Sequence, residues 1–414
     1  MELPKAKHYI LLAVAVIAVA GGVYLSKKVE VGKQESEAAV SGILISPSQI
    51  ASLPTSGAAW TALKAAADAS AGSPDITCNQ DSRTHPGTAL AAGMVYARTG
   101  TISYRDKAIS LVEAARATTR DCGNAILSLG RQLGAYVLAA DFAGYRDAGF
   151  VSWVSSIRTR DFPSSHGRWH VLADTAVDSS SNWGTFALAS LTVADAYLQD
   201  TQGLARDWSL FSFYGTAGGP FSHTSSYQTV WACPEGYPIN PASCTDPRKE
   251  GAAVEDASRT SFPTLGGYPA ESPQGYVVTA EVLSRQGYPA WTVNDAQVCR
   301  NAKWRERGSN LNHSSADQYV TWVTNARCGL SQPTKPAGFG RVFGFTDWTH
   351  SGLSQPSPTN TSDLNSDGKV DVVDLGILLS AWGQTTKPKA DINQDGKVDV
   401  VDLGILLGKW GTSG

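Results

Sequence analysis

Residues 123–142 have the sequence GNAILSLGRQLGAYVLAADF, in which large apolar side chains recur at steps of three and four residues. That spacing predicts an α-helix, and the small Ala and Gly residues between them allow a second helix to approach closely. Comparable patterns predict helices over 56–70, 87–99, 104–118, 182–200, 274–287, 293–304 and 315–326. No run of short alternating strands competes with them, so the predicted fold class is all-α.

The body of the chain, residues 56–350, is expected to consist of sequential antiparallel helix pairs. Such pairs close either into a bundle or into an (α/α) toroid, which is an incomplete barrel of paired helices. Long segments rich in aromatic residues between 205 and 275 favour the toroid, because its loops build a groove on one face.

The composition narrows the class of protein. Hydrophobic residues make up 42% of the chain and charged residues 17%, so it can bury a large core and is not a disordered tail. The formal net charge of −3 excludes a generally basic nucleic-acid binder. Residues 363–414 contain eight Asp and five Lys, and therefore carry the whole negative excess.

The N-terminal region, residues 1–28, predicts a membrane helix. The segment 9–25 has no charge and is flanked by lysines, and a helix of that length spans about 25 Å of a hydrocarbon core of about 30 Å. It is either a signal anchor, which the continuing apolar run favours, or a signal peptide cleaved after Ala18-Val19-Ala20. Residues 29–55 are expected to form a stalk. The protein is expected to be extracellular, either anchored at the cell surface or secreted.

The six cysteines contain no C-x-x-C pair and no Cys/His spacing that resembles a zinc site. An even number of cysteines behind an export signal favours disulfides over the alternative of six reduced core cysteines. The expected pairs are Cys78–Cys122, Cys233–Cys244 and Cys299–Cys328.

Two segments near the C-terminus are nearly identical: DLNSDGKVDVVDLGILLSAWG from Asp363 and DINQDGKVDVVDLGILLGKWG from Asp391. Each begins with a loop of about 12 residues, of the kind that surrounds Ca²⁺ with oxygen ligands, and the alternative is two acidic turns without metal. The predicted ligands of the first loop are Asp363, Asn365, Asp367, the Lys369 carbonyl, Asp371 and Asp374. Those of the second loop are Asp391, Asn393, Asp395, the Lys397 carbonyl, Asp399 and Asp402.

Residues 363–414 together resemble a type I dockerin, in which two calcium loops are each followed by a helix. The resemblance implies two bound Ca²⁺ ions, calcium-dependent folding and docking onto a cohesin-bearing protein through a pseudo-twofold face. Trp382 and Trp410 are expected on the apolar faces of the two helices. The loops could instead stabilise a module without such a partner, or bind the protein's own surface. The Ser/Pro/Thr-rich segment 351–362 predicts a flexible linker.

The stretch 180–350 resembles the alginate lyase-like polysaccharide lyases. The matching pieces are SSNWG, WACPEGYPINPASC, EDASR, YPAESPQGYVVTAEVLSRQGYPAW and FGFTDWT, with weaker support upstream from GRQLGAYVLAADF. The resemblance implies an (α/α) toroid that cleaves a uronic-acid polysaccharide, such as alginate or a glucuronan, by β-elimination. No cofactor is required if amide and guanidinium groups meet the sugar carboxylate.

This elimination removes the proton at C5 of the sugar, which is barely acidic while the adjacent carboxylate keeps its charge. The enzyme must neutralise the carboxylate, abstract the proton and protonate the departing O4. Asn182, at the predicted start of a helix, and Arg259 are the candidates for binding the carboxylate. Tyr268 is the candidate base and acid, if cations lower its pKa, and Glu255 would orient Arg259 or share a proton. The structural alternatives are a helix cap for Asn182, a surface ion pair for Arg259 and Glu255, and a buried or sugar-stacking ring for Tyr268.

Four further polar residues are expected to contact substrate or to orient groups that do. Glu271 and Gln274 follow Tyr268 in the matching segment, and helix capping is their alternative role. Arg131 and Gln132 lie inside an apolar helix, where a buried arginine needs a partner, and they could face the groove.

His166 and His170 are alternative bases because imidazole titrates near neutral pH. The resemblance places neither, so the choice of base stays open, although His170 is also a candidate for substrate binding. Aromatic residues could form platforms for sugar rings or simply lie in the core; these are Trp183, Trp231, Tyr214 and Tyr227.

Two other functions compete with the lyase. A glycoside hydrolase on a similar toroid would use two carboxylates, Glu255 or Asp256 with Asp174 or Glu271. A non-catalytic surface protein would only bind glycan. The expected partners are a uronate polysaccharide, a cohesin-bearing protein and, through the N-terminal helix, the membrane.

Overall fold

The computed structural model describes residues 42–167, 169–179, 181–213, 268–307, 318–352, 362–365, 369–383, 390–392 and 397–411. Within these ranges the chain is helical, with an isolated bridge of extended backbone between Phe339 and Gly344. The predicted all-α class is confirmed for this part of the chain.

The described helices of the body include all eight that the sequence patterns predict. Helix α10 begins six residues earlier than expected, at Tyr268. Helices α1, α6, α7, α9 and α13 were not predicted. Three of them, α1, α7 and α13, are too short to show a repeating apolar pattern. The helices are α1 (Pro47–Ser52), α2 (Ala58–Asp68), α3 (Thr84–Thr99), α4 (Ile102–Arg116), α5 (Ala125–Phe142), α6 (Ala148–Ile157), α7 (Leu172–Asp178), α8 (Asn182–Leu198), α9 (Thr201–Phe213), α10 (Tyr268–Arg285), α11 (Val293–Arg307), α12 (Gln318–Cys328) and α13 (Thr346–Thr349).

The core of the body lies around helices α5 and α8. Every residue of α5 is buried, and nearly every residue of α8 is buried as well. Helix α2 instead buries one side only, through Trp60, Leu63 and Ala67, as expected for a helix that faces solvent. Helix α3 packs against α5, α5 against α8, and α8 against α10. The buried helices therefore form a row that crosses the core.

The described end of the predicted stalk belongs to this core. Ile43, Leu44, Ile45 and Ile50 are buried among the helices of the body, and Ser46 caps α1 by accepting a hydrogen bond from the Gln49 backbone N–H. The helical domain therefore begins before residue 56. Among the described residues, no helix has the length and apolar character needed to cross a bilayer. The predicted membrane segment 9–25 lies outside them.

Two of the three expected disulfides are confirmed. Cys78 is bonded to Cys122, and Cys299 at α11 is bonded to Cys328 at the end of α12. The third expected pair, Cys233–Cys244, lies outside the described residues.

A buried carboxylate ties together the C-terminal helices of the body. Glu281 on α10 accepts hydrogen bonds from Arg285 at 2.9 Å and from the Arg327 Nε on α12 at 2.7 Å. His350 lies against the same carboxylate, with Nε2 3.6 Å from Oε1. Burial opposes the charge of Glu281, but the two guanidinium groups hold its pKa well below the usual range. This ionised group is therefore part of the packing of α10 against α12.

The C-terminal repeats form two matching helices, α14 (Val372–Ser380) and α15 (Val400–Gly408). They share a small apolar core that is separate from the core of the body, and it consists of Leu364, Val370, Leu378, Ala381, Ala390, Ile392, Val398 and Leu406. The Gly383 N–H donates to the Val398 carbonyl at 2.9 Å, and the Gly411 N–H donates to the Val370 carbonyl at 2.9 Å. The end of each repeat is thus hydrogen-bonded to the loop of the other repeat.

Candidate functional site

Two glycines allow α5, α8 and α10 to approach closely enough to bring polar side chains together. A Cβ on Gly130 of α5 would lie 3.0 Å from the Ala187 nitrogen on α8. A Cβ on Gly275 of α10 would lie 2.4 Å from the Thr185 carbonyl carbon, also on α8. These contacts bring close together the ends of the three helices that carry Arg131, Asn182 and Glu271.

The three predicted residues Arg131, Asn182 and Glu271 meet at one carboxylate oxygen. The Arg131 guanidinium donates from Nη2 to the Glu271 Oε2, and the Asn182 Nδ2 donates to the same oxygen at 3.2 Å. Asn182 is the first residue of α8, as predicted, and Ser181 is the N-cap. An amide and a guanidinium therefore bind one carboxylate from two different helices.

Arg131 is deeply buried, and its environment depends on neighbouring anions. Its side chain is 6% exposed, whereas those of Glu271 and Asp81 are 28% and 67% exposed. Burial lowers the pKa of the Arg131 guanidinium, and the negative charge of Glu271 opposes that shift. The guanidinium also lies 5.3 Å from the centre of the Phe186 ring. Both carboxylates thus lie on the solvent side of a largely buried cation.

A second buried arginine, Arg341, extends this group and was not predicted. Its Nη2 donates to the Asp81 Oδ1 at 2.7 Å, and Arg131 Nη1 lies 3.3 Å from the same oxygen. The hydrogen bond from Arg341 holds the pKa of Asp81 below its usual range. Arg341 lies in a short bend of the chain. The N–H of the next residue, Val342, donates to the Arg131 carbonyl at 2.9 Å and so holds this bend against α5. No local sequence pattern marks such a long-range contact.

Next to Asn182 in the chain, Trp183 belongs to a cluster of three aromatic rings. Its ring centre lies 4.9 Å from that of Trp169 and 5.7 Å from that of His166, and His166 stacks on Trp169 at 5.9 Å. His166 is exposed, and both tryptophans are half-buried. The sequence singled out Trp183 and His166 but not Trp169, which the ring geometry adds.

Other predicted site residues have different contacts. The Gln132 amide donates to the carbonyls of Asp75 and Asn79, and so stabilises the loop near Cys78. Gln274 donates to the Ala270 carbonyl at 3.0 Å and accepts from the Tyr319 hydroxyl at 3.2 Å. These contacts lie within the helical packing, and the substrate role expected of both glutamines stays a prediction.

His170 is half-buried, and its carbonyl accepts the Phe162 N–H at 2.9 Å. Asp174, a candidate of the hydrolase hypothesis, is exposed in the first turn of α7. Neither residue joins the group around Arg131 through a contact found in the structure.

Several predicted residues lie outside the described part of the chain. Tyr268 is the first residue of α10, but only its backbone is described. The other candidates of the central body that lie outside the described residues are Arg259, Glu255, Asp256, Tyr214, Tyr227 and Trp231. The predicted calcium ligands that lie outside them are Asp367, Asn393 and Asp395.

The calcium loops close around buried carboxylates. The Asp374 Oδ1 accepts the backbone N–H groups of Leu364 at 2.7 Å and Asn365 at 3.1 Å, and its Oδ2 accepts the Asp371 N–H at 2.8 Å. Asp371 in turn caps α14 by accepting the Val373 N–H at 2.8 Å. The last ligand position is therefore folded back onto the first turn of its own loop.

The second loop repeats this arrangement. The Asp402 Oδ1 accepts the Ile392 N–H at 2.6 Å, and its Oδ2 accepts the Asp399 N–H at 2.8 Å. Asp374 and Asp402 are both fully buried. Because a buried carboxylate must be compensated by hydrogen bonds or a cation, and because the predicted ligand atoms are all oxygens, these residues fit Ca²⁺.

An apolar surface is repeated on α14 and α15. Trp382 and Trp410 are each 45% exposed and lie two residues beyond the ends of α14 and α15. The other exposed members of this repeated surface are Val372, Val373 and Leu379 in the first repeat and Val400, Val401 and Leu407 in the second.

Comparison with known protein families assigns this C-terminal segment. Residues 361–408 match the family described as Dockerin type I domain. This segment is a type I dockerin. No curated protein matches the chain, and no solved structure matches it. The resemblance of the body to polysaccharide lyases therefore stays a prediction.

The dockerin has three consequences for the whole protein. Dockerins bind calcium, in agreement with the oxygen-rich loops. A dockerin implies a cohesin-bearing partner. Together with the disulfides, it indicates an extracellular or cell-surface protein.

Proposed function

We propose that the helical domain is a polysaccharide lyase that cleaves a uronic-acid polymer by β-elimination, while the dockerin, with two bound Ca²⁺ ions, attaches it to a cohesin-bearing protein. The observation that carries the proposal is the convergence of Arg131 and Asn182 on one carboxylate oxygen of Glu271. These are the two kinds of group that the elimination needs for neutralising a sugar carboxylate. The row of packed helices is compatible with an (α/α) toroid, which this proposal includes.

The aromatic cluster supports a sugar as the ligand. Trp183 follows Asn182 directly, and its ring is packed against Trp169 and the exposed His166. Half-exposed aromatic rings offer flat apolar faces to the C–H groups of a pyranose. A polymer bound beside Asn182 could therefore stack on this cluster while its carboxylate binds the polar group.

In the proposed reaction, Tyr268 acts as base and then as acid. As a phenolate it takes the C5 proton, the electron pair of that bond forms the C4–C5 double bond, and the C4–O4 bond breaks. The phenol then gives its proton to O4, which restores the phenolate. Position 268 lies three residues before Glu271 in the first turn of α10, and residues three apart share a helix face. Placing Tyr268 beside the carboxylate-binding group is therefore consistent with the helix.

The test is an assay of the full chain, with calcium, on a panel of uronate polymers, including alginate and glucuronan. Elimination creates an unsaturated uronate that absorbs in the ultraviolet, whereas hydrolysis creates reducing ends without that absorbance. We expect Asn182→Ala to lower kcat by roughly 10²–10³-fold, as for the loss of one donor to a developing oxyanion. Asn124→Ala is the matched control. Asn124 is the N-cap residue of the buried helix α5, but it is exposed and its side chain makes no capping hydrogen bond.

New reducing ends without ultraviolet absorbance would replace the lyase by a hydrolase. Binding of polymer without any cleavage would indicate a glycan-binding surface protein. An active Asn182→Ala variant would remove this residue from the mechanism.

A further inference from the structure

The Glu271 carboxylate is bound by two side chains from other helices. Arg131 and Asn182, from two other helices, both donate to its Oε2. We propose that Arg131 and Asn182 form a binding site for the carboxylate of a sugar acid, and that Glu271 occupies this site until the sugar acid displaces it. The inference rests on the proposed function only for the choice of a sugar acid as the ligand.

A buried guanidinium explains why an internal carboxylate is needed in the free protein. The Arg131 side chain is 6% exposed, and a cation in that position is costly unless an anion faces it. Burial lowers the pKa of Arg131, and Glu271 is the largest influence that opposes the shift. Without a ligand, the site is stable because Glu271 provides the anion.

Three features make Glu271 exchangeable rather than permanent. It is more exposed than Arg131, at 28%, so its side chain can rotate into solvent. It lies in the first turn of α10, where a changed rotamer leaves the helix intact. Arg131 and Asn182 also share a single oxygen of Glu271, whereas an incoming carboxylate could accept one hydrogen bond on each oxygen.

Asp81, the other anion beside Arg131, is a poorer candidate for this role. It lies 3.3 Å from Arg131, but its shorter contact is with Arg341 at 2.7 Å. The Arg341 side chain is itself only 4% exposed and depends on Asp81 for an anion. Displacement of Asp81 would therefore leave a second buried arginine unpaired, so Glu271 is the carboxylate that leaves.

The experiment measures binding rather than catalysis. Glucuronate is titrated into the full chain in the presence of calcium, with glucose and acetate as the neutral-sugar and simple-carboxylate controls. Glu271→Gln keeps the size of the side chain but removes its charge. If Glu271 occupies the site for about nine-tenths of the time, this variant should bind glucuronate about tenfold more tightly than the original protein. Binding of acetate alone, with equal affinity, would show a general anion site and overturn the assignment to sugar acids.

The matched control is Glu113→Gln. Glu113 is also a half-exposed glutamate in an ion pair, 3.1 Å from Arg116, but it lies away from the Arg131 group. Its substitution should leave glucuronate affinity unchanged. Equal or weaker binding by Glu271→Gln, or no binding by either protein, would show that Glu271 is a permanent structural partner.

The outcome is separable from that of the proposed lyase. Tighter glucuronate binding by Glu271→Gln with no polymer cleaved would support the site and reject the lyase. Ultraviolet-absorbing products with unchanged glucuronate affinity would support the lyase and reject the displacement of Glu271.

Discussion

The dockerin and the helical domain stabilise buried carboxylates in different ways. In the dockerin, Asp374 accepts hydrogen bonds from backbone N–H groups that lie within ten residues of it. In the helical domain, Glu281 is held by Arg327, a side chain from another helix. The comparison shows that the dockerin depends on its own loops and their cation, whereas the helical domain depends on the packing of distant helices.

Removal of calcium should have the largest effect, and only on the dockerin. If calcium is present at about 1,000 times its Kd, each of the two bound ions stabilises the folded dockerin by roughly 4 kcal/mol, which chelation removes. We expect EGTA to abolish hydrogen-exchange protection in α14 and α15 while that of α5 and α8 is unchanged. Full protection of both dockerin helices in EGTA would show that the buried carboxylates of the loops need no cation.

Glu281→Gln should destabilise the helical domain by about 3–5 kcal/mol, because it leaves Arg285 and Arg327 with a buried positive charge and no anion. Chemical denaturation measures this change. Glu113→Gln, which breaks a half-exposed pair with Arg116, should cost less than about 1 kcal/mol. Equal effects of the two substitutions would contradict a special role for burial.

The lowered pKa of Glu281 predicts that the helical domain loses stability in acid. The pKa of Glu281 is lowered by folding, so the unfolded chain binds more protons once the pH falls towards about 4.3. Burial also lowers the pKa of His350, which favours the protonated unfolded state below about pH 6.5. Stability of the helical domain should therefore decrease as the pH falls, and in Glu281→Gln the loss near pH 4 should become smaller.

Gly275→Ala should destabilise the helical domain by about 1–3 kcal/mol, since the added methyl group would meet the α8 backbone at Thr185. In the dockerin, Gly376 lies inside α14, and apart from the backbone of that helix no described atom lies within 4 Å of the position that an added methyl group would take. Gly376→Ala should therefore raise dockerin stability by up to about 1 kcal/mol through helix propensity alone. Thermal unfolding of both variants compares these opposite signs directly, and a shared sign would show that packing does not separate the two regions.

The apolar periodicity was sufficient for the long helices. It predicted α5 and α8 closely, because each presents many large side chains at helical spacing. It did not predict α1, α6, α7, α9 or α13. Ile43, Leu44, Ile45 and Ile50 were assigned to a stalk, although they pack into the core. Whether an isolated apolar run is buried depends on what else folds beside it, and the run itself carries no such information.

The candidate site was predicted only in part. Asn182, Arg131 and Glu271 were singled out, but not as a group that meets. Arg259, the predicted partner of the substrate carboxylate, lies outside the described residues. Gln132 and Gln274 form hydrogen bonds within the helical packing, and their role towards substrate stays a prediction. Arg341 was missed because its contact with Asp81 links residues far apart in the chain. Trp169 was also missed, and the ring geometry adds it to the aromatic cluster.

The sequence by itself determined the calcium loops of the dockerin. The ligands of each loop lie within about 12 consecutive residues, so their spacing in the sequence sets their arrangement around the ion. It also determined where most of the helices run, since helical hydrogen bonds are local. Only the tertiary structure decided that Arg131, Asn182 and Glu271 meet, and that Arg341 joins them through Asp81. Those contacts link residues separated by tens to hundreds of positions. The meeting of Arg131, Asn182 and Glu271 also depends on glycines of α5 and α10, which allow these helices to pack closely against α8.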